Sequence, residues 1–174
     1  QAEITIITKE KTPGYSRCGL TFVIGGQIPS FKELIVFPPS YFQMMKIGLR
    51  TETEVTTLDA AKKSVEAISK DAKKDTIPYD SLIIATGASS FTPPIKGREK
   101  QGVHSLRTLE DGQEIDQEVR KGAKTAVVMG AGLIGLETAI ALHERGLKVT
   151  IVEMLPQVLP LPLDPEMAKI LQDM

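Results

Sequence analysis

Two groups of residues in this sequence could carry chemistry. The first is Cys18, the single cysteine of 174 residues, in the stretch Gly14-Tyr15-Ser16-Arg17-Cys18-Gly19-Leu20. A thiolate is the reactive form of cysteine, and a nearby cation or helix N-terminus favours it; Arg17 is an adjacent cation. The plainer reading is a small apolar side chain, because free cysteine is commonly buried as one. The second group is Gly130-Ala131-Gly132-Leu133-Ile134-Gly135, a GxGxxG turn, with Glu153 following 18 residues after Gly135. In such a turn Gly130 permits the tight bend, Gly132 leaves the backbone open to a pyrophosphate, and Gly135 lets a helix lie close to strands. The pyrophosphate then meets free N–H groups and the positive end of the helix dipole. An acid at Glu153 accepts hydrogen bonds from a ribose 2′-hydroxyl and repels a 2′-phosphate, which favours NAD over NADP. Glu137, one turn into the helix, has two readings: a cofactor contact, or a carboxylate that complements the helix N-terminus.

These groups need elements to hold them. Residues 126–129 form a short apolar run, 133–145 have helical apolar spacing up to a stop at Gly146, and 147–152 form the next strand. Together they predict one βαβ unit. Upstream, residues 3–8 are β-branched and predict a strand that leaves into Thr12-Pro13-Gly14, with Cys18 in a loop just beyond. Ser30 with Glu33, and Ser40 with Gln43, have capping-box spacing and predict two short helices. Runs at 55–58, 64–68 and 76–79, separated by Asp/Lys-rich turns, predict a small antiparallel meander. Residues 81–85 predict a buried strand running into Thr86-Gly87, and Pro93-Pro94 with Gly97 mark an exit from the first folding unit. Thr108, three residues before Asp111, predicts the cap of a polar helix ending near Gly122. The run Leu159-Pro160-Leu161-Pro162-Leu163 reads as a loop over the nucleotide domain rather than a proline-recognition ligand.

Composition narrows the classes. With 41% hydrophobic and 25% charged residues the chain reads as soluble and globular. A net charge of −1 offers no broad basic field, so neither nucleic acid nor a membrane surface is an expected partner. One cysteine excludes an intrachain disulfide and a Cys-rich zinc site, and fits a reducing cytoplasm. His104 and His143 have no metal-ligand spacing, so no metal is expected. Residues 125–142 are almost uncharged, but their clustered glycines and Glu137 argue against a membrane span.

In order, EITIITKEK, GYSRCGL, YDSLIIATGAS, GAGLIGLE and EMLPQVLPLPLDPEM resemble the FAD-dependent pyridine nucleotide-disulfide oxidoreductases. Within them the resemblance is to the single-cysteine branch of NADH oxidases, NADH peroxidases and coenzyme A-disulfide reductases. It implies an α/β chain with the FAD/NAD(P)-binding Rossmann-like two-domain fold, incomplete at both ends. Residues 1–107 would be a flavin domain lacking its first GxGxxG unit, and 108–174 the first half of an NAD domain. The implied cofactors are FAD and NAD(H), with coenzyme A a further candidate. Ala85-Thr86-Gly87 matches the turn that closes a flavin-domain strand against FAD, and Lys9 and Glu10 lie where a strand ends near its adenosine ribose. Cys18 would be the redox thiol, taking electrons from NADH through FAD and passing them to a disulfide, peroxide or oxygen. Alone, it is oxidised as a mixed disulfide with a small thiol such as coenzyme A, or as a sulfenic acid by peroxide or oxygen. Truncation should leave sheet edges and apolar surface uncovered, which predicts association with a second copy or with the missing segments. Two positions depart from the pattern: CGLPY appears as Cys18-Gly19-Leu20-Thr21-Phe22, and the basic residue of LPRxLD is absent from 159–164. The competing reading is a truncated, non-catalytic nucleotide-binding module, motivated by the missing first GxGxxG and dimerisation domain.

Overall fold

The computed structural model describes residues 2–173. In chain order its elements are β1 (Ile4–Ile7), α1 (Leu20–Gly25), α2 (Pro39–Met44), β2 (Ile47–Arg50), β3 (Thr53–Asp59), β4 (Ser64–Ser69), β5 (Lys74–Pro78), α3 (Leu109–Arg120), β6 (Thr125–Met129), α4 (Leu133–Glu144), β7 (Lys148–Val152) and α5 (Pro165–Asp173). Short 3₁₀ turns occupy Arg17–Gly19 and Phe31–Leu34. The chain is α/β, as its sequence predicts. Packing separates two units: the chain up to Tyr15 with Ile35–Ala88, and Ser16–Leu34 with the chain from Ser89 onward. That grouping differs from a linear division at 107/108, because residues 16–34 pack with the later segment.

In the first unit β1 lies parallel to β2, from Ile4 opposite Ile47 to Ile7 opposite Arg50. Strands β3, β4 and β5 form the predicted antiparallel meander. Val65 and Ala67 are buried while Glu66 between them is exposed, the two-residue alternation of a sheet with one covered face. Two expectations fail here. Residues 81–85 form no strand, and Ile83 is 88% exposed. Their backbone has no ladder partner among the described residues, and an apolar run becomes a strand only when its N–H and C=O groups are paired. Ser40 is not a cap either: Pro38 is the N-cap of α2 and Pro39 occupies its first turn, so Ser40 lies inside the helix.

The second unit is built on α1 and α4. The sequence around Cys18 predicts a loop, yet Leu20, Val23 and Ile24, spaced i, i+3, i+4, make one apolar helical face. Gly26, at φ +84°, then stops the helix. Ile24 is fully buried among Ala141, Leu142 and Leu147. Arg145, which follows α4, donates to the Ile24 carbonyl at 2.8 Å and to Asp116 Oδ1 at 3.0 Å. Arg120 Nε reaches the other oxygen of Asp116 at 2.6 Å. Asp116 is buried, and a buried carboxylate is tolerated when paired in this way. Helix α3 carries the predicted capping box: Asp111 N–H donates to Thr108 Oγ1, and Thr108 N–H to Asp111 Oδ2. The almost uncharged run 125–142 is divided into β6, the glycine turn and part of α4. No helix among the described residues is long and apolar enough to cross a membrane.

Ile24 is the point at which α1, α4 and β7 meet. Ile24→Ala should therefore cost about 2–5 kcal/mol, and Ile24→Val about 0.5–1.5 kcal/mol, in urea unfolding of the protein.

Candidate functional site

The glycine turn links β6 to α4. Strands β6 and β7 pair in parallel up to Met129 opposite Val152, and the ladder continues when Gly130 N–H donates to Val152 C=O at 2.8 Å. Gly130 then turns at φ +100°, a conformation that side chains rarely adopt. Gly135 has a different reason: a Cβ there would run into the Gly130 carbonyl oxygen. At Gly132 the backbone is extended (φ −77°, ψ −179°), and a Cβ would meet nothing within 4 Å. Protein packing does not need that glycine. The space it leaves open adjoins the first turn of α4, whose leading N–H groups, at Leu133, Ile134 and Gly135, lack helical acceptors. That combination fits the pyrophosphate of a dinucleotide.

Glu153, at the end of β7, folds back on the turn. Its Oε2 accepts from Ala131 N–H at 2.7 Å and its Oε1 from Leu155 N–H at 2.9 Å. The Ala131 N–H, and then that of Leu155, hold its carboxyl below the usual carboxylate range. The Ala131 carbonyl accepts from Leu159 N–H at 2.9 Å, so segment 153–159 satisfies both backbone groups of this buried residue. The leucine–proline run thus lies over the nucleotide turn, as its sequence predicts.

Cys18 sits in the same unit and is exposed. Its turn is fixed on several sides. Ser16 N–H donates to Leu34 C=O at 2.8 Å, and Gly19 lies so close to Leu34 Cδ2 that a Cβ would overlap it. Arg17 Nη1 donates to the Arg107 carbonyl at 2.8 Å, so part of this guanidinium is directed at the backbone. Thr21, one of the two departures from CGLPY, is buried and donates through Oγ1 to Glu137 Oε2 at 3.3 Å. Glu137 therefore touches the helix that follows the thiol. Sequence reasoning passed over Thr21 as a partner, although its position one helical turn after Cys18 was the signal.

The other predicted residues lie in the first unit. Lys9 Nζ stands 3.8 Å from Glu54 Oε1, both side chains exposed. Glu10 Oε2 accepts from the Tyr15 hydroxyl at 2.9 Å, and its N–H donates to Thr8 Oγ1. Ala85, Thr86 and Gly87 are exposed, and Gly87 turns at φ +69°. Their backbone groups have no backbone partner among the described residues. No three of the described His, Cys, Asp or Glu residues are grouped as metal ligands.

The whole sequence, residues 1–174, matches the profile of the pyridine nucleotide-disulphide oxidoreductases. The chain belongs to that family. It is 45% identical over 172 residues to an NADH oxidase of Methanocaldococcus jannaschii, covering 98% of this chain and 38% of that protein. To a coenzyme A disulfide reductase of Staphylococcus haemolyticus it is 31% identical, covering 99% of this chain and 39% of that one. Among solved structures, a NAD-dependent persulfide reductase from A. fulgidus matches with a TM-score of 0.94 and 38% identity, over 99% of this chain and 33% of that one. The chain thus spans under two fifths of the relatives' length. Members of this oxidoreductase family use FAD and NAD(H).

Two glycine substitutions separate binding from folding. Gly135→Ala should lower the melting temperature, because its Cβ meets the Gly130 carbonyl. Gly132→Ala should leave melting within a few degrees and weaken NADH binding about tenfold or more, by calorimetric titration. The Glu153 pKa is lowered on folding, so its contribution to the turn is complete above the ordinary carboxylate pKa. That contribution is lost as pH falls through the lowered value. After correction for intrinsic exchange, protection of the Ala131 amide should fall in that acidic range and be pH-independent there in Glu153→Ala.

Proposed function

We propose that the full-length protein is an NADH-dependent flavoprotein oxidoreductase that works through Cys18. The observation that carries this reading is the exposed thiol held in the same packed unit as a complete dinucleotide turn. NAD(H) is assigned to Gly130, Gly132, Leu133, Ile134, Gly135 and Glu153. The first-turn N–H groups receive the pyrophosphate, and the Glu153 carboxylate selects a ribose that bears no 2′-phosphate. Lys9, Glu10, Ala85, Thr86 and Gly87 are assigned to FAD. Bound FAD supplies a two-electron relay, taking a hydride from NADH and passing two electrons to the Cys18 sulfur.

Within these 174 residues Cys18 has no second cysteine to pair with, which supports oxidation as a mixed disulfide or a sulfenic acid. Two electrons and one proton entering the mixed disulfide break its S–S bond, leaving the Cys18 thiolate and a free small thiol. A small disulfide, such as that of coenzyme A, is the acceptor this chemistry suits; peroxide and oxygen are the others. Need for a free thiol agrees with a reducing, cytoplasmic setting. Val127, Met129 and Val152 are exposed on the two-stranded β6–β7 sheet, and sheet edges of this kind support association with a second copy, readable by light scattering.

For the 174-residue chain alone, a second reading has its own support. Residues 81–91 are exposed and without a backbone partner among the described residues, so the flavin-side turn is not held in a sheet. That favours a nucleotide-binding module without turnover. Sustained, Cys18-dependent NADH consumption by the isolated chain with added FAD would exclude it.

In the full-length, flavin-loaded protein, Cys18→Ser should still allow NADH to bleach the flavin absorbance. Turnover with a small disulfide should fall about 100-fold or more. A full-length protein that takes up no FAD, or a Cys18→Ser variant with unchanged disulfide turnover, would contradict the proposal.

A further inference from the structure

Three contacts between α1 and its continuation and α4 have offsets that agree to within one residue. Thr21 meets Glu137, Gly25 lies against Ala141, and Gln27 Nε2 donates to Glu144 Oε2 at 2.9 Å. The separations along the sequence are 116, 116 and 117 residues. A near-constant offset means that the two segments run side by side in the same direction. Both helices therefore begin at the same end of the unit: α1 just after Cys18, and α4 just after the nucleotide turn. Cys18, in the turn just before α1, thus lies toward the end of the unit where α4 begins.

The far part of this pairing is held by burial of Ile24 among Ala141, Leu142 and Leu147, by the bond from Gln27 to Glu144 and by Arg145 on the Ile24 carbonyl. Near the reactive end the polar contact between the helices is that of Thr21 with Glu137. A proline, which the resembled pattern carries at this position, has no hydroxyl to offer. The departure at Thr21 thus supplies a bond that the pattern itself could not make. It also gives the Glu137 carboxylate a protein partner on the thiol side of α4.

We propose that Thr21 and Glu137 are positioning residues for Cys18. Their hydrogen bond sets the register of α1 on α4, and with it the placement of the thiol relative to the nucleotide turn. This rests on the reading of Cys18 as the redox thiol. On this account Glu137 acts through Thr21 and leaves nucleotide affinity to the glycines and Glu153.

The test uses the full-length, flavin-loaded protein with Thr21→Val, Thr21→Ser, Glu137→Ala and the double variant Thr21→Val/Glu137→Ala. Each of Thr21→Val and Glu137→Ala should lower kcat with a small disulfide about 3- to 10-fold, as expected for one hydrogen bond to a charged group. The KM for NADH should stay within about twofold, the double variant should be no worse than the poorer single one, and Thr21→Ser should retain kcat within about twofold. The rate of Cys18 alkylation by iodoacetamide should change by a common factor of about three or more in Thr21→Val and Glu137→Ala, and stay near wild type in Thr21→Ser. A raised KM for NADH in Glu137→Ala with a silent Thr21→Val would overturn the proposal in favour of a nucleotide contact. Additive losses, or a Thr21→Ser variant no better than Thr21→Val, would overturn it as well. If Cys18→Ser itself keeps full turnover, the redox reading fails. The alkylation rates then still decide the positioning: a common change sustains it, and wild-type rates in every variant reject it.

Discussion

Helix α1 lies along α4, and the chemical residues of the second unit take their places from that contact. Each helix starts where a candidate reactive turn ends, so their side-by-side packing sets the thiol turn and the glycine turn toward the same end of the unit. The contact has three parts of different physical kind. Ile24 contributes apolar burial among Ala141, Leu142 and Leu147. Gly25 lies against Ala141, where a Cβ would stand in van der Waals contact at 3.4 Å. Thr21 and Gln27 add hydrogen bonds to Glu137 and Glu144 at either end.

The far end of α1 is also tied electrostatically. A last-turn carbonyl of a short helix is normally left to water, yet here the Arg145 guanidinium accepts that task for Ile24 while pairing with Asp116. Asp116 is buried, and Arg145 and Arg120 pair one with each of its carboxylate oxygens. One buried carboxylate thereby couples α3 to the ends of α1 and α4. A six-residue helix is too short to be stable alone. Its order comes from these neighbours, and the exposed thiol that precedes it inherits that order.

Residues with backbone demands were the most legible in the sequence. Gly130 and Gly135 are required by a positive φ and by a crossing of backbones, so their spacing announced the βαβ unit. Thr108 announced α3 because a cap is a local bond. The meander was readable from alternation over a few residues. The run 81–85 was misread because a strand is a property of a pair, and an apolar pattern cannot report whether a partner is present. Strand β2 escaped notice for the same reason: Ile47-Gly48-Leu49-Arg50 has little pattern of its own, and β1 gives it its form. At the site, residue types were legible and partners were not. Cys18 and Glu153 stood out, whereas the bond from Thr21 to Glu137 spans 116 residues. That Glu153 bonds Ala131 N–H, and that Leu159 closes over the Ala131 carbonyl, depend on how the loop after β7 returns to the turn.

The central claim is that the thiol-bearing helix and the nucleotide-binding helix form one cooperative body. Native-state hydrogen exchange in increasing denaturant reads this directly, because amides that open together converge on one isotherm. The account predicts that the amides of Val23, Ile24 and Gly25 in α1 join those of Ala139, Ala141 and Leu142 in α4 in a single opening. Exchange of the α1 amides through a separate opening, at a free energy well below that of α4, would contradict it.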